Sequence, residues 1–348
     1  MISSLQIKNF TCFSQNNFQF SGGINVLIGK NSVGKTHLLK LLACVLKANK
    51  ENNGNGKEKL ETILGNKLIG YFKPEYLGRL VKRAQGRNRA EVNIEIEKQT
   101  LSFNFATNTK NTVKIEQYEK FNTIQSLYLP PHEIISVFEG FISLYQNREV
   151  NFDETYYQLA MALDVLLLKG RRFDEIQSLI KPLEDITESK IIKENGRFYF
   201  QNTQGKMEMP LIAEGYRKIA TLMYLIANGE IAPNSVLFWD EPEANLNPKL
   251  TKQMVDLLIN LAKKGVQIFV ASHDFLFTHL LSLKSEYRQN FTENELPQIS
   301  FFGLYEQNHE IIFDTAETLA NLSNNAILDE FEAFYDLEQN YLNKLMSN

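Results

Sequence analysis

The stretch GKNSVGKT, Gly29 to Thr36, has the form G-x-x-x-x-G-K-[ST], and residues of these types at this spacing can hold a polyphosphate. Gly29 and Gly34 let backbone N–H groups curl around phosphate oxygens with no Cβ in the way. Lys30, Asn31, Ser32 and Val33 supply the amides between them, Lys35 brings a point charge to the β- and γ-phosphates, and Thr36 offers a hydroxyl to Mg²⁺. The helix that starts here, with His37 in its first turn, aims its positive end at the anion.

A second cluster lies in SVLFWDEPEANLNP, where an apolar strand from Val236 to Trp239 ends in Asp240 and Glu241. A carboxylate at the tip of a buried strand is costly unless a cation meets it, so Asp240 reads as the acid that holds Mg²⁺ jointly with Thr36. Glu241 reads as the general base that orients and deprotonates the attacking water. The same two residues also suit the acidic first turn of a helix. A third apolar strand, Val266 to Ala271, ends in Ser272, His273 and Asp274. Ligands of open α/β sheets bind at such carboxyl ends, which makes His273 a γ-phosphate contact. His37, His132, His279 and His309 show no metal-ligand spacing.

Three kinds of element must position these residues. Ile24 to Ile28 is a short apolar strand before the glycine loop, and His37 to Leu46 is an apolar helix after it. Lys47 to Lys59, with four asparagines and two glycines, reads as a surface loop. Alternation in VNIEIEKQTLSFNF and TVKIEQY predicts an antiparallel β-lobe over 91–118, and Ile124 to Leu129 is a buried strand stopped by Pro130 and Pro131. Helical spacing runs from Ile134 to about Ile186, a strand pair from Lys190 to Pro210, and an apolar helix from Glu214 to Asn228. Strand, helix (Pro248 to Lys263) and strand then follow, the rhythm of a parallel sheet covered by helices.

Composition narrows the class. Of 348 residues 43% are hydrophobic and 22% charged, which excludes a chain disordered throughout. Lys+Arg number 37 against 41 Asp+Glu, so nucleic-acid contact would need a local patch. Cys12 and Cys44 are too few for a disulfide framework, which favours a reducing cytoplasmic setting. The apolar stretch Leu159 to Leu168 is far shorter than a membrane span, and the N-terminal MISSLQIKNF alternates like a strand rather than a signal peptide. Phe10 and Phe13 suit either a core or a stack on a nucleobase.

The order of these motifs resembles the ABC-type ATPase heads of the SMC, RecF and OLD group, AAA family ATPases of DNA repair and prokaryotic defence. SLQIKNFTCFSQ and GGINVLIGKNSVGKTHLL look like that group's first strands and Walker A, DEPEANLNP like its Walker B and D-loop, and ASHD like its switch histidine. The resemblance implies an α/β P-loop NTPase fold of ABC-ATPase type: a mostly parallel core sheet, an antiparallel β-lobe and an inserted helical lobe. It also implies composite sites, with ATP between the Walker motifs of one subunit and the signature helix of another. The signature position is IAEGYRK, with Gly215 presenting backbone N–H groups in trans; Ala213 stands where transporter relatives carry serine, and Glu214 and Tyr216 replace the usual Gly and Gln. Asn245 to Pro248 matches the D-loop. No glutamine follows Pro130, so His132 or Glu133, or neither, takes the Q-loop place.

The divisions implied are 1–130 (Walker A and β-lobe), 131–210 (helical lobe), 211–320 (signature-like helix, Walker B, D-loop and switch His) and 321–348 (C-terminal amphipathic helix). Between Lys35 and Asp240 lie 204 residues, enough for both lobes without long coiled-coil arms; 75 follow His273, so any nuclease is expected on a separate chain. The expected activity is Mg²⁺-dependent ATP hydrolysis that gates a homodimer or higher oligomer in antiviral defence, acting with a separate effector such as a nuclease. A RecF-like repair ATPase, the energising subunit of a membrane transporter, and a binding module without turnover are the rivals; the altered signature disfavours the transporter and Glu241 the module. Residues 71–90 hold Lys73, Arg79, Lys82, Arg83, Arg87 and Arg89 against Glu75, with Tyr71, Phe72 and Tyr76 interleaved, so they suit nucleic acid or a solvated face. At the end, Ile327, Leu328, Phe331, Phe334, Tyr335, Tyr341, Leu342 and Leu345 form an apolar stripe, for packing on its own domain or on a partner.

Overall fold

The computed structural model describes residues 1–291 and 296–346. Strand β1 (Ile2–Phe10) alternates, with Leu5, Ile7 and Phe10 inward, and pairs antiparallel with β2 (Phe13–Gln19). β3 (Ile24–Ile28) is buried at all its positions, as a strand covered on both faces must be. It runs into the glycine loop and then α1 (Lys35–Asn52).

The loop expected over 47–59 is mostly helix. α1 continues to Asn52, and α2 (Lys57–Phe72) begins soon after, leaving a turn of four residues between them. The asparagines that suggested a loop serve the turn instead. The Asn49 and Asn52 amides donate to the carbonyls of Phe121 and Asn55, and Asn53, with φ 46°, ends the helix in the left-handed conformation.

β4 (Arg89–Ile96), β5 (Gln99–Ala106) and β6 (Lys114–Tyr118) form the antiparallel lobe, and β1 and β2 complete its order β2-β1-β4-β5-β6. After β7 (Ser126–Leu129), the region expected to be helical to Ile186 is divided into α3 (Phe141–Gln146), α4 (Glu154–Asp164) and α5 (Arg171–Thr187). Gly140 and Gly170, both at positive φ, precede α3 and α5 and interrupt the run. A three-stranded sheet of β8 (Lys190–Glu194), β9 (Arg197–Asn202) and β10 (Gly205–Glu208) stands where a strand pair was expected.

The apolar α6 (Glu214–Ala227) leads to β11 (Val236–Asp240), α7 (Pro248–Lys263), β12 (Gln267–Ser272) and α8 (Phe275–Glu286). β13 (Ile299–Gln307) and β14 (Glu310–Ala316) add two strands beyond those foreseen, giving a core sheet of order β14-β13-β3-β12-β11-β7. Of these only β14 runs antiparallel to its neighbour. Alternate residues feed two cores: Val26, Leu237, Trp239 and Val270 pack with the helices α4 to α7, whereas Leu27, Phe238, Phe269 and Phe302 pack with α1, α2 and the β-lobe. Because β3, β7, β11 and β12 are parallel, their carboxyl ends, and with them the chemically distinctive residues, gather at one edge.

The last helix, α9 (Ala326–Met346), does not bury its stripe on its own domain. Phe331, Phe334, Tyr335, Tyr341 and Leu342 are exposed; only Phe331 meets the body of the protein, on the Phe275 ring at 4.2 Å. The Leu345 side chain lies outside the described residues. Among the described residues no helix is long and apolar enough to cross a membrane.

Candidate nucleotide site

The loop after β3 is shaped by its two glycines. Gly29 has φ +148°, and a Cβ there would stand 2.3 Å from the Leu304 carbonyl of β13; Gly34 has φ +94°, and a Cβ would stand 2.6 Å from both Cys12 Sγ and the Phe13 ring. Lys35, 8% exposed, folds under the loop and donates to the carbonyls of Gly29 (2.7 Å) and Lys30 (2.9 Å). Burial lowers its pKa, opposed by the nearby carboxylates of Asp240, Glu241 and Glu243. Lys30, Asn31 and Ser32 are exposed and Val33 is buried. His37 is half-buried against the Phe72 ring, 5.6 Å away, and burial lowers its pKa.

Thr36 and Asp240, 204 positions apart, meet: Thr36 Oγ1 donates to Asp240 Oδ2 at 2.8 Å. A second donor, unforeseen in the sequence, is Tyr128 of β7, whose hydroxyl is 3.1 Å from the same oxygen. Its signal is positional: β7 is the parallel neighbour of β11, and Tyr128 sits opposite Phe238. Burial raises the Asp240 pKa, and the hydrogen bonds from Thr36 and Tyr128 only partly oppose it. Glu243, which accepts from Ser272 Oγ at 2.7 Å, is raised for the same reason. A carboxyl raised in the folded state stabilises fully below its ordinary value, 3.8 for Asp240 and 4.5 for Glu243, and loses that stability as pH climbs through the folded value. Hence the nucleotide- and magnesium-free protein is expected to gain stability from these groups on acidification from neutrality. Asp240→Asn should flatten that trend when urea midpoints of the two proteins are compared across pH 5 to 8; parallel curves would contradict it.

Beyond Asp240 the chain turns sharply. Glu241 holds φ 53°, a left-handed conformation that costs a side-chain-bearing residue roughly 1 kcal/mol or more. Its N–H donates to Ala271 at 2.9 Å, and its carboxylate lies 3.3 Å from His273 Nδ1. Both side chains remain partly exposed, 34% for Glu241 and 49% for His273. Lys35, Thr36, Asp240, Glu241 and His273 therefore share one edge of the sheet. Gly215 and Asn245 make a separate contact within the chain: a Cβ on Gly215 would stand 2.9 Å from the Asn245 carbonyl. Asn245 is itself left-handed, with φ 64°. After Pro130, His132 is exposed, whereas Glu133 is buried and pairs with Arg217 Nε of α6 at 3.1 Å.

The aromatic residues of 71–90 do not offer faces for stacking. Tyr71 is 2% exposed, Phe72 packs edge-on to Phe10 at 5.7 Å, and Tyr76 lies under the Arg79 guanidinium at 5.1 Å. Several of the segment's cations are already engaged: Arg79 pairs with Glu75 at 2.9 Å, Lys82 with Glu310 at 3.6 Å, Lys73 with Asn151, and Arg89 with Asn104. Arg83 and Arg87 are exposed. Phe10 and Phe13 are fully buried in the core rather than near a base site.

A family model described as "AAA domain, putative AbiEii toxin, Type IV TA system" matches residues 24–278. The chain is 23% identical to the Septu protein PtuA of Bacillus mycoides over 309 residues, 81% of this chain and 41% of that protein. It is 28% identical to the DNA replication and repair protein RecF of Bacillus cytotoxicus over 117 residues, 34% of this chain and 28% of that one. The chain thus spans less than half the length of either curated relative. Among solved structures, an SMC head bound to the C-winged helix domain of ScpA superposes with a TM-score of 0.52 at 13% identity, covering 91% of this chain and 98% of that one. An SMC head domain from Pyrococcus furiosus, with an extended coiled coil and bound to the C-terminal domain of ScpA, gives 0.50 at 12% identity, covering 97% and 98%. At these identities the likeness speaks for the fold alone.

Proposed function

The chain belongs to this AAA domain family and has the fold of an ABC-type ATPase head of the SMC, RecF and OLD group, and from that premise we propose that it hydrolyses Mg²⁺-ATP at a site shared by two copies. The observation that carries the reading is the 2.8 Å contact of Thr36 with Asp240, beside Glu241 and His273. The glycine-loop amides and Lys35 bind the phosphates; Lys35 is already desolvated, so it exchanges two backbone carbonyls for phosphate oxygens. Thr36 Oγ1 and Asp240 Oδ2 are the hard oxygen donors that Mg²⁺ favours, brought together at one buried point, and they would hold it. When bound there, the ion would neutralise charge on the phosphates. Glu241, more exposed than either Asp240 or Glu243, is placed to take the proton of a water, and His273 to orient at the γ-phosphate. Gly215 and the Asn245 loop face the nucleotide of the second copy.

Hydrolysis then opens the pair, so nucleotide state controls a partner. Likeness to a Septu protein and to a toxin–antitoxin family supports a setting in prokaryotic defence, with a separate effector such as a nuclease. The RecF likeness, confined to 34% of the chain, supports DNA repair as the second setting. Steady-state phosphate release by the purified chain is the test: turnover that requires Mg²⁺ and rises more than linearly with protein concentration is expected. Nucleotide binding without release would make the protein a binding module instead.

A further inference from the structure

Helix α6 is apolar except where it passes the turn that carries Glu241. There Lys218, only 4% exposed, extends its ammonium to the Glu241 carbonyl at 3.1 Å. A lysine buried among Ile219, Ala220 and Leu222 is unfavourable unless its charge has work to do, since an apolar residue of similar length would fill the space without the cost of dehydration. Burial does lower its pKa, and the carboxylates of Glu243, Glu214, Glu241 and Glu133 oppose that. One turn earlier on the same helix, Gly215 lies against the Asn245 carbonyl so closely that a Cβ would stand 2.9 Å from it. Two successive turns of α6 therefore touch both ends of the segment from Glu241 to Asn245. Inside that segment the bonds are local, Ala244 N–H to Glu241 O at 3.2 Å and Leu246 N–H to Glu243 O at 3.0 Å, so it is a compact body that moves with whatever holds it. Glu241 is held in a left-handed conformation, and the lysine bonds the carbonyl on the far side of that strained residue.

We infer that Lys218 is a positioning residue for Glu241, tying the general base of one site to the helix whose amino end meets the nucleotide of the other. The inference rests on the ATPase reading above. Docking of a second copy on the start of α6 shifts the helix, and Lys218 passes that shift to the Glu241 backbone, so a site acquires its aligned base when its opposite number is engaged. Neighbouring Arg217 is committed to Glu133 and does not share the task.

The experiment measures ATP turnover and nucleotide binding in the full chain carrying Lys218→Met, Lys218→Arg or no change. Lys218→Met is expected to lower kcat about tenfold or more while KM for ATP and the affinity for a fluorescent ATP analogue stay within about twofold. Lys218→Arg, which restores the charge and a donor, is expected to recover turnover to within about threefold of the unmodified chain. Unchanged kcat in Lys218→Met overturns the role. So does a parallel loss of binding and turnover, or an Arg variant no better than Met, because either marks a residue that only supports packing. Should the Met variant fail to fold, Lys218→Gln, uncharged and shorter, takes its place with the same criteria. An unmodified chain that binds ATP but releases no phosphate would sink the ATPase reading itself; turnover insensitive to Lys218 sinks the positioning role alone.

Discussion

Glu241→Gln is expected to lower ATP turnover about a hundredfold to ten-thousandfold and to leave a dimer that persists while ATP is present. The amide keeps the size and hydrogen-bonding shape of the carboxylate but takes up no proton, so binding survives and the step that opens the pair does not. Two acids compete for the assignment. Glu243 is only 7% exposed, its Oε1 bonds Ser272, and burial holds its pKa up. Glu241 is more open and stands 3.3 Å from His273 Nδ1, a partner able to keep it aimed. Turnover in Glu243→Gln is accordingly expected to stay above about a tenth of the original, reflecting a loosened turn rather than a missing base. Light scattering with and without ATP reads the dimer and phosphate release reads the chemistry. A Glu241→Gln chain that binds ATP yet remains monomeric, or one that turns over normally, would contradict the shared-site mechanism.

The elements nearest the chemistry are legible in the sequence because their signals are local. The glycine spacing from Gly29 to Gly34 and the apolar runs before Asp240 and His273 each lie within one strand and one turn, and parallel pairing then brings their ends to one edge of the sheet. What escaped notice depends on contacts between distant segments. Tyr128 gains its meaning only once β7 is known to lie beside β11, and Lys218 reads as an ordinary helix lysine until α6 is laid over the turn after β11. The asparagines after Lys47 misled for a related reason. Asparagine favours turns through its local hydrogen bonds, but Asn49 spends its amide on Phe121, 72 residues away, and stays helical. β13 was passed over although ISFFGLYEQ is apolar enough for a strand; it lies beyond the last motif, and it closes the glycine loop through the Leu304 carbonyl.

Gly34→Ala is expected to weaken ATP binding at least about a hundredfold and to lower the melting temperature by about 5 °C. Two costs coincide at this residue. With φ +94° and ψ 10°, the Ncap position of α1 lies in left-handed space, where a Cβ costs roughly 1–2 kcal/mol. The new methyl would also stand 2.6 Å from Cys12 Sγ and from the Phe13 ring, and Phe13 is fully buried between β1 and the core, so it has nowhere to retreat. Relief must come from the loop, which moves away from the β1–β2 turn and takes with it the amides that face the phosphates and the carbonyls that hold Lys35. Overpacking of this kind costs about 1–3 kcal/mol beyond the backbone strain. The two contributions separate in the double variant Cys12→Ala, Gly34→Ala: removing the sulfur frees one of the two clashes, so binding should recover in part while the backbone strain and the Phe13 contact remain. Calorimetric titration with Mg²⁺-ATP and thermal melts of the single and double variants provide the readings. If Gly34→Ala binds ATP as tightly as the unmodified chain, the loop does not grip phosphate through its backbone.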